Sequence, residues 1–77
     1  MAMLHDVIAH ALRVPVSSVT EESSPETLRR WDSLHHLDVM TAVEEAYGVR
    51  FSTAEILRAT SVGQLRRLLR EKGLVVD

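Results

Sequence analysis

Apolar residues return at the spacing of an α-helix three times along this chain, and that repeat limits the fold more than any other feature. Met3, Leu4, Val7, Ile8, Ala11 and Leu12 make the first set, one face at helical period. Val14-Pro15 ends it, because the residue before a proline is pushed out of the α region. The second set is Val39, Met40, Val43, Ala46 and Tyr47, with His36 among them, on a helix predicted from Ser33 to about Tyr47. Asp32 stands in front of it as a good N-cap, and Gly48 comes after it as a natural C′ residue. The third set, Val62, Leu65, Leu68 and Leu69, belongs to a last helix that Ser61-Val62-Gly63-Gln64 opens and that ends near Gly73. On its exposed side Arg67 and Glu71 are spaced to pair, and Arg66, Arg67 and Arg70 form a small solvated basic face. Ahead of that helix, Ser52-Thr53-Ala54-Glu55 reads as a capping box for a short helix from Thr53 to about Arg58, with Ile56 and Leu57 expected inward. The expectation is an all-α chain: one domain over 1–77, a small four-helix bundle with a long first loop and a short third helix.

Residues 15–31 carry no sustained period, only serines, acids and Pro25. So long a loop in so short a chain is often functional. Val16, Val19, Leu28 and Trp31 are spaced to pin it to the core, and Ser24 with Pro25 predicts a helical turn reaching Leu28. A chain of 77 residues buries only about 60% of its unfolded surface, which leaves little room for an enclosed active site. There is no cysteine, hence no disulfide framework and no thiol nucleophile. A net charge of −2 argues against nucleic-acid binding. No stretch has the length of a membrane helix, and none at the start pairs a basic region with an apolar run. A cytoplasmic monomer is expected, without membrane contact.

Chemistry concentrates at Asp32-Ser33-Leu34 and along the helix that this tripeptide opens. With Asp32 as cap, the Ser33 hydroxyl lies at the positive end of the helix dipole, where an attached anion is stabilised. Helical spacing puts Leu34, Leu37, Asp38, Thr41 and Glu45 on the face opposite the core, flanked by Glu44. None of these acids has a basic residue four positions on, so the face is either solvated or kept free for a basic partner. Asp32, Ser33, His35 and His36 are the ingredients of a catalytic triad, but residues two and three after a serine point well around the helix from it, and no dry cleft is expected. His35 and Asp38 supply too few ligands for a zinc site, and no metal site is expected. The remaining reading makes Ser33 a substrate rather than a nucleophile. Its hydroxyl would then accept a phosphate-linked group from a separate enzyme.

Taken together, Asp32-Ser33-Leu34, Leu37-Asp38-Val39-Met40, the run from Val43 to Phe51 and Ala59-Thr60-Ser61-Val62-Gly63-Gln64-Leu65 resemble the acyl carrier protein family. The resemblance extends over nearly the whole chain. It implies a non-enzymatic carrier in which Ser33 bears 4′-phosphopantetheine, transferred from coenzyme A by a Mg²⁺-dependent phosphopantetheinyl transferase. Acyl or aminoacyl groups would ride as thioesters on the arm's thiol, which fits a chain that has none of its own. The same resemblance makes Leu34, Leu37, Asp38, Thr41, Glu44 and Glu45 the surface read by the transferase and by acyl-loading and acyl-processing enzymes. Arg30, Trp31 and His35, together with the mild overall charge, depart from typical fatty-acid carriers and point to a discrete carrier of polyketide or related specialised biosynthesis. A discrete peptidyl or aminoacyl carrier stays open, and so does a helical interaction module that carries no arm.

Overall fold

A computed structural model describes residues 3–76. Its order is α1 (Leu4–Leu12), α2 (Ser33–Tyr47), α3 (Thr53–Arg58) and α4 (Val62–Glu71), with a 3₁₀ turn at Val16–Ser18. Among the described residues there is no strand. No helix among them is long and apolar enough to cross a membrane.

Helix α1 buries Leu4, Ile8, Ala9 and Leu12. It stops one residue before Val14-Pro15, because Arg13 turns left-handed at φ 58° and returns its amide to the carbonyls of Ala9 and His10. That position usually belongs to glycine, and a side chain there costs about 1 kcal/mol. The loop is pinned by Val19 and Trp31, both buried, and by half-buried Leu28. Val16 is not a pin: the 3₁₀ turn points it outward and leaves it 49% exposed. Around Pro25 the chain makes the single turn that Ser24 and Pro25 predict, reaching Leu28: the Ser24 carbonyl accepts from the amides of Thr27 and Leu28.

The loop also closes the start of α4, whose first amides have no partner within the helix. The Val62 amide donates to the Ser23 carbonyl and the Gly63 amide to the Glu21 carbonyl, both at 3.0 Å. Ser61 Oγ accepts the Gln64 amide at 3.1 Å. The Glu21 side chain completes this seam by accepting from Arg66 at 2.7 Å and from His5 Nε2 at 2.9 Å, while Arg66 also donates to the Val76 carbonyl at 3.0 Å. Arg66 is therefore no part of a solvated basic face, as expected from spacing, but a tie between loop, helix and C-terminal segment. The Arg66 hydrogen bond, partly opposed by burial, holds the Glu21 carboxyl below its usual range.

Helix α2 runs from an Asp32 cap to a left-handed Gly48 at φ 67°, as its sequence predicts. Val39, Met40 and Val43 are buried. Ala46, placed inward by helical spacing, sits at the edge of that face and is exposed beside Asp6, Val7 and His10 of α1. The six residues of α3 come after a complete capping box between Ser52 and Glu55. None of them is buried. Ile56 packs against the core, whereas Leu57 is 71% exposed. The two lie about 100° apart on a helix that touches the core along one edge, so Ile56 turns toward the core and Leu57 away from it. Glu71 of α4 pairs with Arg58 at 3.7 Å, not with Arg67 as its spacing suggested. One apolar cluster joins α1, α2 and α4 with Val19, Trp31, Phe51, Ala59 and Val76.

Candidate functional site

Asp32 builds the start of α2 by accepting twice from His35 on the same oxygen. The His35 amide donates to Oδ1 at 2.8 Å, and His35 Nδ1 lies 2.8 Å from it. The amide bond first, and the ring second, hold the Asp32 carboxyl below its usual range. The His36 amide is taken by the Asp32 carbonyl at 2.9 Å. The amides of Ser33 and Leu34 are thus the donors left at the positive end of the helix, with that of Leu34 leaning on the Asp32 carboxylate. Ser33 itself is exposed.

The triad ingredients do not assemble around it. His35 Nδ1 faces Asp32, and both nitrogens of His36 are engaged elsewhere. The Trp31 indole N–H donates to His36 Nδ1 at 2.9 Å. His36 Nε2, the protonated nitrogen, donates to the Ile56 carbonyl at 2.8 Å. The indole and imidazole also stack, with centroids 6.0 Å apart and planes inclined by 27°. The sequence places His36 on the core face and Trp31 at the end of the loop, and both are there. The bond between them, and the one to α3, have no local signature.

Beside Ser33 lies a largely apolar groove of about 360 Å³. Pro25 of the loop forms one side, Ser33 and Leu37 of α2 another, and Ile56, Leu57 and Thr60 the third, with His36 between α2 and α3. Leu57 is exposed because it faces this groove rather than the core. Across α2 a polar groove of about 550 Å³ is bordered by His10, Arg13, Arg30, His35 and Asp38. Sequence periodicity finds neither, since each draws on separate segments of the chain.

On the outward face Leu34 is 73% and Leu37 55% exposed, and Asp38, Thr41 and Glu45 are exposed as well. Glu44 differs from the expectation of an acid without a partner. It is half-buried, and its Oε2 accepts the Phe51 amide at 2.7 Å, tying the chain after α2 back onto the helix. A carboxylate four residues before a glycine C-cap has no helical partner, but the reversing chain supplies one.

No protein-family model matches the chain, and a search of curated proteins finds no match.

Proposed function

We propose that this protein is a carrier whose Ser33 bears a 4′-phosphopantetheine arm, and that it presents acyl or aminoacyl groups to partner enzymes of polyketide or related specialised biosynthesis. The observation that supports this best is an exposed serine at the first position of α2, free of side-chain partners and opening onto an apolar groove. The residues fit the group. Ser33 Oγ would hold the phosphodiester at the positive end of α2, and Leu37, Ile56 and Leu57 offer apolar surface beside it. When bound, the group supplies a thiol on which cargo is held as a thioester.

The chain's own residues bind, orient and expose. Asp32 fixes the first turn of α2 by its hydrogen bonds to His35, and so fixes the direction in which Ser33 leaves the helix. Neither histidine activates the serine, consistent with a hydroxyl modified by a separate transferase that brings its own base. Leu34, Leu37, Asp38, Thr41 and Glu45 form an exposed mixed apolar and acidic face next to the modified position, suited to basic partners with an apolar centre. Glu44 contributes to that face through the shape of the α2 end rather than as a free charge.

Incubation with coenzyme A, Mg²⁺ and a broad-range phosphopantetheinyl transferase tests the reading. One 4′-phosphopantetheinyl group should be added per chain, seen by intact mass. No gain would instead favour a helical interaction module, and turnover by the unmodified protein would favour an enzyme.

A further inference from the structure

His36 occupies an unusual place, one turn after Ser33 and between two elements that otherwise have little hold on each other. Helix α3 has six residues and no buried side chain. Its ion pairs, Glu55 with Lys72 and Arg58 with Glu71, lead toward the end of α4 and away from Ser33. Toward α2 its polar tie is the bond from His36 Nε2 to the Ile56 carbonyl. The other ring nitrogen accepts the Trp31 indole proton. An indole nitrogen only donates and a carbonyl only accepts. The two bonds together therefore demand one form of the ring, neutral, with the proton on Nε2. A proton added to Nδ1 would set two donors 2.9 Å apart.

We propose that His36 is a positioning residue. In its neutral Nε2–H form it latches both the end of the loop, through Trp31, and α3, through the Ile56 carbonyl, to the first turn of α2; its protonation breaks the Trp31 bond while Nε2 goes on donating to Ile56, so the loop side of the groove beside Ser33 is released. Trp31 is fully buried, so the end of the loop moves only if this bond opens or the indole repacks. Ile56 and Leu57, adjacent in α3, are both groove walls, so the carbonyl that His36 holds sits in the wall itself. Of the other groups that border the groove, only Asp32 titrates, and its carboxylate is already bound by His35. The loop side contributes Trp31 and Pro25, which do not titrate. From α3 the charged groups are Glu55 and Arg58, engaged with Lys72 and Glu71. The latch is read from the hydrogen bonds alone; that the groove it adjusts receives the substituent of Ser33 rests on the carrier reading.

The test uses the unmodified full chain, so it is independent of whether Ser33 accepts an arm. Nitrogen-15 spectra of the imidazoles should show His36 at pH 7.5 with a bare Nδ1 and a protonated Nε2. As pH is lowered from 7.5 over the range in which the chain stays folded, the Trp31 indole N–H and the Leu57 amide next to the Ile56 carbonyl should shift with one common midpoint. In His36→Gln, which retains a donor near Nε2 but cannot be protonated, both signals should stay still over that range. A His36 ring with its proton on Nδ1 at pH 7.5 would overturn the proposal. Shifts of Trp31 and Leu57 that persist unchanged in His36→Gln would overturn it as well. If that variant does not fold, the tautomer and the shared midpoint in the wild-type chain still decide the matter.

Discussion

Asp32 shows how much one carboxylate does here. It caps α2, orients His35 and directs Ser33 outward. Because those bonds hold its folded-state pKa below the usual carboxylate range, its stabilisation is complete above that range and is lost as pH falls from it through the lowered folded-state value. Asp32→Asn, which preserves a capping oxygen, should flatten the fall in melting temperature on acidification relative to wild type, while Glu21 continues to contribute by the same sign. Trp31→Phe keeps most of the buried ring but removes the donor to His36, leaving an unmatched acceptor; urea unfolding should report a loss of about 1–3 kcal/mol. The cap was legible in the sequence because Asp32 acts on a residue three positions away. The Trp31–His36–Ile56 chain was not, because its last bond spans 20 residues and depends on where α3 comes to rest.

At the scale of elements, local chemistry predicted what local chemistry determines. The bounds of α2 stem from Asp32 and Gly48, and α3 begins where the Ser52–Glu55 box says it should. Helical period also identified the buried face of α4 and most of that of α1, where Met3, expected inward, is 51% exposed and Ala9, outside the expected set, is buried. It failed where a neighbour decides orientation. Leu57 turns outward because α3 presents only its Ile56 side to the core and Leu57 to the groove beside Ser33, and Glu44 finds the Phe51 amide only because the chain reverses after Gly48. A matched pair of substitutions measures this difference. Leu65→Ala, at a fully buried position in α4, should cost about 2–4 kcal/mol in urea unfolding. Leu57→Ala, at a 71% exposed position, should change stability by less than about 0.5 kcal/mol. Equal losses at the two sites would mean that α3 lies differently against the core.

For the whole molecule, a small core supports one well-held helix terminus and leaves a broad face of α2 uncovered. The loop that carries Trp31 and Pro25 to that terminus is fastened at its far end by Glu21 and Arg66, so the seam on α4 and the groove beside Ser33 belong to one support. Charge reversal at Asp38 or Glu45, both exposed and outside that support, should slow modification and loading by partner enzymes while leaving the unfolding midpoint unchanged. Unaltered rates in both variants would remove α2 as the docking face. The carrier reading itself stands or falls on Ser33. After incubation with coenzyme A, Mg²⁺ and a broad-range phosphopantetheinyl transferase, peptide mass mapping should place a single 4′-phosphopantetheinyl group on the peptide containing Ser33, and Ser33→Ala should remain unmodified. A wild-type chain that gains no mass, or a Ser33→Ala chain that gains the same mass, would refute the carrier role.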